Sequence, residues 1–265
     1  MNFLMLFLLV FLTSFSFLSL IFSLNFSLAS ESGYQLQLRW GTEGTENGQF
    51  MVPHSMVFDS EDNIYVTDTN NHRIQKFTSD GEFITKWGTE GNGDGEFSSP
   101  EGIDVDSLGN VYVADTGNSR IQKFTSDGEF ITKWGTEGNG DGGFSSHAHG
   151  VTKDSVDNFY ITDRFNHNIQ KFTSGGEFIT KWGTEGNGDG EFGLPLGIGV
   201  NSKGDIFIID QVTSSIHQFS NEGEFLNKII FNFDKLEDIE IDSNDDIYVT
   251  DRNKNEILKF SKIIN

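Results

Sequence analysis

Hydrophobic and polar residues alternate along most of the chain, in short segments of four to six residues. Segments such as Asn110–Asp115 and Glu129–Trp134 are rich in β-branched and aromatic residues, which is typical of half-buried strands. Turn-forming residues separate the segments, as in Asp106–Asn110 and Ser126–Gly128. No window shows the 3.6-residue period of an amphipathic helix. The pattern therefore predicts an all-β protein with tight turns.

The strand pattern is repeated along the chain. The four Trp residues are spaced 47, 47 and 48 residues apart, and residues 74–97 match residues 121–144 at 23 of 24 positions. A second marker agrees with this period, an aspartate that recurs as Asp68, Asp115, Asp163, Asp210 and Asp251. Each unit contains four short strands. Tandem units of this size and composition predict the four-stranded antiparallel blades of a β-propeller, and the aspartate marker predicts five of them.

The two ends of the repeat region complement each other. Tyr34–Trp40 has the pattern of a fourth strand alone, whereas the last unit supplies three strands, at Ile239–Asp242, Ile247–Asp251 and Ile257–Phe260. We therefore predict that the N-terminal strand completes the last blade and closes a ring of five.

The first 30 residues differ from the rest, since they contain 21 apolar residues and no charged side chain. Residues 3–28 are long enough to cross a hydrocarbon layer of about 30 Å at about 1.5 Å per residue. The small residues Ser27 and Ala29 also suit cleavage by a signal peptidase. A cleaved signal peptide and a retained membrane anchor both stay open. Either one predicts that residues 31–265 form the propeller and lie outside the cytoplasm.

Charge and cysteine content exclude several functions. All 40 acidic and 18 basic side chains lie after residue 30 and give a net charge of −22. Such an acidic surface repels phosphate backbones, so we expect no nucleic-acid partner. The chain has no Cys, which excludes disulfides, cysteine–zinc sites and thiol nucleophiles. We expect a monomer that contacts a membrane only through residues 3–28, if the leader is retained.

One unit consists of Pro100–Asp106, Asn110–Asp115, Arg120–Phe124 and Glu129–Trp134. Its Pro-x-Gly start, its Asn-Val-Tyr-Val-Ala-Asp centre and its Arg-Ile-Gln-Lys-Phe strand resemble the NHL repeat, and the resemblance extends over residues 34–265. It implies a β-propeller, although NHL propellers usually have six blades. It does not imply one function, because NHL domains include protein-binding platforms, RNA-binding domains with a basic face and the lyase half of peptide-amidating enzymes.

One position at the start of each innermost strand differs between the repeats. We call it the axial slot, and it is occupied by His54, Glu101, His149, Leu196 and Glu237. Because the innermost strands surround the propeller axis, these side chains are expected to converge on one face. Two imidazoles and two carboxylates have the composition of a divalent metal site, so the candidate ligands are His54, Glu101, His149 and Glu237. Solvated loop side chains without a metal are the alternative.

The Pro-His-Ser segment around His54 resembles the zinc-ligand segments of peptidyl-hydroxyglycine amidating lyases. In that family, a histidine from each of three alternate blades holds the metal. His149 matches by position, and the third blade has Glu237 instead of His. The resemblance also implies an active-site arginine after the blade aspartate, which matches Arg164 and Arg252. The tyrosine that these lyases use has no identified counterpart in this sequence.

An acidic, Gly-rich segment at residues 89–96 recurs at 136–142 and 184–191. Oxygen-bearing residues at alternate positions followed by Gly are similar to a calcium-binding loop. However, the first ligand is Glu instead of Asp, and the flanking elements are predicted strands. We therefore favour flexible connectors between blades, with weak calcium binding as the alternative.

The recurring aspartates are predicted to be structural, because a residue present in every blade at a strand end can accept hydrogen bonds from turn amides. His72, His167 and His217 lie before or within the third strand of a unit. We interpret these three histidines as surface residues.

These observations predict an extracytoplasmic propeller that binds a protein, peptide or glycan at its axial mouth and the surrounding loops, rather than an enzyme. The first alternative is a metal-dependent lyase of the peptide-amidating type, with zinc or calcium as the metal. The second alternative is a structural cell-surface protein without a small ligand.

Overall fold

The computed structural model describes residues 38–230, 235–251 and 256–261. The chain divides into two compact units, Met1–Trp40 and Gly41–Asn265. Of the first unit, residues 38–40 are described, and they contain no regular secondary structure. The apolar leader and residues 34–37 of the predicted closing strand lie outside the described residues. Within the described ranges, no helix is long and apolar enough to cross a membrane.

The strands follow the repeat units. The first connector contains β1 (Thr42–Glu43) and β2 (Gln49–Phe50). Blade 1 contains β3 (Pro53–Phe58), β4 (Ile64–Asp68), β5 (Arg73–Phe77) and β6 (Phe83–Trp87). Blade 2 contains β7 (Pro100–Val105), β8 (Val111–Asp115), β9 (Arg120–Phe124) and β10 (Phe130–Trp134). Short 3-10 helices, Thr69–Asn71 and Thr116–Asn118, follow the second strands of these two blades.

The second half of the propeller repeats this order. A connector with β11 (Thr136–Glu137) and β12 (Gly143–Phe144) leads to blade 3, which contains β13 (Ala148–Lys153), β14 (Phe159–Asp163), β15 (Asn168–Phe172) and β16 (Phe178–Trp182). A connector with β17 (Thr184–Glu185) and β18 (Glu191–Phe192) leads to blade 4, which contains β19 (Pro195–Val200), β20 (Ile206–Asp210), β21 (Ser215–Phe219) and β22 (Phe225–Ile230). Blade 5 contains β23 (Leu236–Ile241), β24 (Ile247–Asp251) and β25 (Glu256–Phe260).

The all-β propeller of five blades is confirmed. In blades 1 to 4, four antiparallel strands neighbour one another in sequence order, and blade 5 has three strands among the described residues. The innermost strands β3, β7, β13, β19 and β23 pack in succession, each against the next. This arrangement brings the starts of all five innermost strands to one end of the axis.

Small residues allow the innermost strands to approach closely. A Cβ atom added to Gly102 would lie 2.2 Å from the carbonyl oxygen of His149, and one added to Gly150 would lie 2.7 Å from that of Leu196. Neighbouring blades are therefore in backbone contact directly beside the axial slot. This contact fixes the separation between slot side chains on neighbouring blades.

We expect Gly102→Ala to destabilise the propeller by about 1–3 kcal/mol, as overpacking of a tight contact does. The added methyl group forces blades 2 and 3 apart, because the atom it meets belongs to the backbone. Urea unfolding followed by Trp fluorescence measures the change. The matched control is Gly140→Ala, whose Cβ would have no heavy atom within 4 Å. Equal unfolding midpoints for the two variants would disprove the tight contact.

The aromatic residues of the outermost strands connect neighbouring blades. The ring of Trp87 lies 5.8 Å from that of Phe124 in the next blade, and Trp134 lies 6.0 Å from Phe172. Such ring pairs add to the free energy gained from burying their large apolar surfaces. The outer layer of the propeller is therefore stabilised by contacts between blades as well as within them.

The recurring aspartate organises the connector before each of the first two blades. Asp115 is fully buried, and its carboxylate accepts hydrogen bonds from Arg120 Nε at 2.6 Å and from the Ser98 amide at 2.7 Å. The same arginine donates to the carbonyl oxygens of Asn92 and Glu96 in the preceding connector. The Asp–Arg pair therefore ties the acidic connector to its blade.

The connectors carry regular hydrogen bonding where the sequence predicted flexible loops. Two of the later connectors form short parallel ladders, β11 with β12 and β17 with β18. In the connector before blade 2, the Glu96 carboxylate accepts from the Gly93 amide at 2.8 Å, and Asp94 pairs with Lys133 at 2.7 Å. The Glu96 carboxylate therefore supports the connector itself, and Asp94 links the connector to β10 of blade 2.

Candidate functional site

The axial slot is the second residue of each innermost strand. In all five of these strands, the pairing register shifts between the first and the fourth residue, which marks a β-bulge. A bulge turns side chains out of the regular ladder, and bulges are common beside functional sites. A threonine fixes this geometry between blades, because the Thr67 hydroxyl accepts from the Ser55 amide and donates to the Glu101 carbonyl, each at 2.9 Å.

Three slot residues on consecutive blades come together. One potential ligand atom from each of His54, Glu101 and His149 lies within 4.8 Å of the other two, and this is the one such group found among the described residues. The His149 Nε2 atom is 3.8 Å from Glu101 Oε2, and the two imidazole rings meet edge to face with centroids 5.0 Å apart. We call these three residues the axial cluster.

The axial cluster places a buried carboxyl group beside a neutral imidazole. Burial raises the pKa of Glu101, and its buried Oε2 has no hydrogen-bond partner among the described residues. Burial also lowers the pKa of His149 to about 3, so the imidazole is neutral near pH 7. The contact between the two side chains is therefore not an ion pair. A neutral imidazole keeps a lone pair for a metal ion, which is the form that metal sites require.

We expect His149 to make stability depend on pH. Its pKa is about 3 in the folded protein, against an ordinary value near 6.5, so only the unfolded chain takes up this proton as the pH falls below about 6.5. Stability is fully present above that pH and is lost by about 1.4 kcal/mol per pH unit below it. Metal-free protein unfolded by urea at pH 7 and pH 4.5 should show this loss.

The His149→Gln variant isolates this contribution. Glu101, whose raised pKa changes stability in the opposite direction, is present in both proteins. The variant should therefore lose less stability between pH 7 and pH 4.5 than the wild-type protein does. Parallel curves for the two proteins would contradict the neutral, buried imidazole.

Arg164 lies beside the axial cluster. Its charge lowers the pKa values of Glu101 and His149, after the effects of burial and of His54 in both cases. Its guanidinium lies 5.6 Å from the ring centre of Phe165, and its buried Nε has no partner among the described residues. The axial cluster therefore has a positively charged neighbour.

The other predicted site residues are placed differently. Glu237 lines the same axial pocket but is not part of the axial cluster, and its carboxylate lies 3.5 Å from Lys235 Nζ. Leu196, in the slot of blade 4, is buried and apolar. Arg252 lies outside the described residues. The cluster therefore joins three consecutive blades, whereas the resemblance to the amidating lyases implied alternate blades.

An axial pocket of about 410 Å³ opens at the cluster. All five innermost strands contribute to its wall, which includes Ile103, Val151 and Ile198 together with Asp238 and Glu240 of β23. The pocket therefore combines an apolar surface with carboxylates. A volume of several hundred Å³ is typical of small-ligand sites.

Sequence reasoning missed several residues of this region. His147 interacts electrostatically with Glu101 and His149, and Phe165 is 47% exposed with its ring 4.5 Å from that of His147. The Arg164–Phe165 pair occupies the positions where blade 2 has Thr-Gly. This difference between the repeats could have identified the pair from the sequence.

The interpretation of His217 as a surface residue is wrong. Its side chain is fully buried, its ring lies 5.0 Å from that of Phe192, and burial lowers its pKa to about 4. The corresponding residue of the first three blades is a buried glutamine, so this position of the third strand points inward in each of the first four blades. His72 and His167 are half-buried.

Comparison with known families agrees with the repeat. The NHL repeat matches residues 50–77 and 97–124, and a family described as a 6-bladed beta-propeller matches residues 147–260. The chain thus contains NHL repeats folded as propeller blades, and it has five blades where the second family is described with six. No curated protein matches the chain significantly.

Solved structures show the same fold at low sequence identity. Virginiamycin B lyase from Staphylococcus aureus is 18% identical with a TM-score of 0.61, covering 80% of this chain and 71% of that one. A catalytically inactive form of that lyase with quinupristin is 19% identical with a TM-score of 0.63, covering 86% and 69%. A nidogen/laminin complex contains a chain that is 19% identical with a TM-score of 0.62, covering 82% and 78%.

Proposed function

We propose that the protein is an extracytoplasmic binding platform that holds its ligand at the axial pocket, with a divalent metal ion in the axial cluster. The observation that carries this proposal is the meeting of His54, Glu101 and His149 beside a pocket of about 410 Å³ that the two histidines line. The ligand class that we propose is a protein, peptide or glycan that offers a short chain to the pocket.

The donor atoms of the cluster fit a transition-metal ion such as zinc. Two imidazoles and one carboxylate are a common set of three protein ligands, and three ligands leave a coordination position open. The buried Glu101 oxygen has no other partner among the described residues, and His149 is neutral near pH 7. A bound metal would supply a Lewis acid to an oxygen of the ligand. Arg164 would hold an anionic group beside it.

Three further observations support a binding role outside the cell. The uncharged apolar segment at residues 1–30 has the composition of an export signal or anchor. The structurally similar chain in the nidogen/laminin complex belongs, by its description, to an assembly between proteins. The net charge of −22 also suits a soluble surface that avoids nucleic acid.

Metal content tests the proposal. Residues 31–265, expressed without a His tag and purified without chelator, should contain about one zinc or similar divalent ion per chain after dialysis against micromolar zinc. Plasma mass spectrometry measures the metals, and circular dichroism confirms the fold. A well-folded chain with no stoichiometric metal would overturn the metal-dependent part of the proposal.

The second candidate function is a metal-dependent lyase. The observation that favours it is Arg164, because a cation next to three metal ligands with an open position suits polarisation of a substrate carbonyl or hydroxyl. The similarity to virginiamycin B lyase adds to this candidate at the level of the fold.

A direct assay separates the two candidates. The zinc-loaded chain is incubated with a peptidyl-α-hydroxyglycine, which a lyase of the amidating type splits into a peptide amide and glyoxylate. Formation of glyoxylate that is lost in Arg164→Ala, with zinc content unchanged, would establish the enzyme. Absence of turnover in a chain that retains its zinc would favour the binding platform.

A further inference from the structure

From the axial pocket we infer that the ligand carries an alkylammonium group, which binds between Asp238 and Glu240 below the axial cluster. This inference rests on the proposed function, because it takes the axial pocket as the ligand site. It adds the chemical class of the ligand. The inference is carried by the charge, shape and depth of the pocket.

Two carboxylates of β23 line the pocket, and the charge of a third, from β7, acts on one of them. Asp238 and Glu240 line the pocket, and Asp104 of β7 is close enough for its charge to act on Glu240. Of the described residues that line the pocket, none is Lys or Arg. The positive charge of Lys153 acts on Asp104, but its ammonium already pairs with Asp157 at 3.0 Å.

The environment of these carboxylates makes a bound cation favourable. The side chains of Asp238 and Glu240 are solvent-accessible inside the pocket. The surrounding protein nevertheless replaces much of the bulk water around their carboxyl groups. Burial and the negative charges of Asp238 and Asp104 raise the pKa of Glu240 to about 7. A positive charge placed among them would relieve this repulsion.

The geometry favours an organic cation over a second metal ion. Within the described ranges, the axial cluster is the one group of three or more potential ligands whose atoms lie close enough to share an ion. Asp104, Asp238 and Glu240 do not converge in this way, so they do not form a calcium cage. An ammonium group is larger than a bare metal ion and donates three hydrogen bonds in different directions, which suits carboxylates that are spread apart.

The rest of the pocket fits an apolar stem. Ile103, Val151 and Ile198 line the wall. Each is the fourth residue of its innermost strand, whereas the axial slot is the second residue and Glu240 is the fifth residue of β23. Glu240 is three residues further along β23 than the axial slot, which corresponds to about 10 Å of strand. An aliphatic chain of four or five carbons can span this depth with its ammonium group at Glu240 and its polar end at the mouth.

A second feature of the pocket also points to a bound group at its mouth. His149 lines the pocket and is 7% exposed, and its Nδ1 has no hydrogen-bond partner among the described residues. A polar atom buried without a partner is costly, so such an atom beside a cavity indicates that a bound group completes its hydrogen bonding.

Two sources of an alkylammonium group share this chemistry, a lysine side chain and a peptide amino terminus. Three probes distinguish them. Nα-acetyl-lysine methylamide has a blocked amino terminus and carries only the side-chain ammonium. Nε-acetyl-lysine amide has a blocked side chain and carries only the amino-terminal ammonium. Acetyl-norleucine methylamide has the same aliphatic stem as the first probe and no charge.

Calorimetric titration of residues 31–265 with each probe, at pH 8 and with zinc present, tests the inference. At least one ammonium probe should bind, and the norleucine probe should bind about 10- to 100-fold more weakly, the effect of losing a charge-assisted hydrogen bond. The variants Glu240→Gln and Asp238→Asn should each weaken the ammonium probe by a similar factor. The matched control is Glu129→Gln, at an exposed turn of blade 2, and it should leave binding unchanged.

Several results would overturn the inference. These are equal binding of the norleucine probe, no binding of any probe, or undiminished binding in Glu240→Gln. Calcium binding that disappears in Glu240→Gln would instead show a metal cation at these carboxylates. Removing the charge of Glu240 relieves repulsion, so the variant should remain folded, and thermal unfolding checks this.

Zinc content of the same samples separates this inference from the proposed function. If the chain holds stoichiometric zinc but binds the charged and uncharged probes equally, the ammonium inference is wrong and the metal proposal stands. Ammonium-selective binding by a chain that takes up no zinc defeats the metal proposal and leaves the inference standing.

Discussion

The double variant His54→Ala/His149→Ala should lose its stoichiometric zinc while the propeller stays folded. Removing both imidazoles leaves the Glu101 carboxylate as the one member of the axial cluster. The expected loss of zinc affinity is far larger than the ~10–100-fold caused by losing an outer-shell partner. Zinc is quantified by mass spectrometry after dialysis, and circular dichroism reports the fold.

A matched histidine variant controls for nonspecific effects. His72→Ser introduces the residue that blades 2 and 4 carry at this position, as Ser119 and Ser214, and it should retain one zinc per chain. The single variant His54→Ala keeps the test valid if loss of the buried His149 side chain impairs folding, because His54 is exposed. Retention of zinc by the double variant would place the metal elsewhere.

Arg120→Asn should destabilise the propeller by about 3–5 kcal/mol, the usual consequence of removing one partner from a buried ion pair. Asp115 is fully buried and would lose the guanidinium that lies 2.6 Å from its carboxylate. The carbonyl oxygen of Asn92 would also lose its guanidinium donor, and that of Glu96 would keep the donor that Gln122 Nε2 provides. Urea denaturation at pH 7 measures the change in unfolding free energy.

An exposed ion pair provides the control. Lys133 lies 2.7 Å from Asp94, and both side chains are substantially exposed. We therefore expect Lys133→Met to cost at most about 1 kcal/mol. If Arg120→Asn cost no more than Lys133→Met, the Asp–Arg pair would not be what ties the connector to its blade.

Most of the fold could be predicted from the sequence, because the repeats are nearly identical. The same pattern therefore supports each strand assignment in several blades. The strand predicted at Arg120–Phe124 has these bounds in the structure, and the one predicted at Asn110–Asp115 begins one residue later. The N-terminal closing strand remains a prediction, since most of Tyr34–Trp40 lies outside the described residues. The helical turns after β4 and β8 were not predicted, because residues such as Thr116–Asn118 read simply as a turn.

The candidate site could be predicted only in part. Disagreement between the repeats at the axial slot identified His54, Glu101 and His149, which the bulged strands then bring together. Their protonation could not be predicted, because burial of His149 depends on packing between neighbouring blades. The effect of the Asp104 charge in blade 2 on Glu240 in blade 5 likewise depends on how the blades are arranged around the axis.

Anomalous diffraction at the zinc absorption edge, from crystals of residues 31–265 grown with zinc, tests the metal site most directly. The expected result is a single strong peak about 2.0–2.2 Å from one ligand atom of each of His54, Glu101 and His149. A peak confined to surface carboxylates, with no density between these three side chains, would contradict a metal-dependent binding site at the propeller axis.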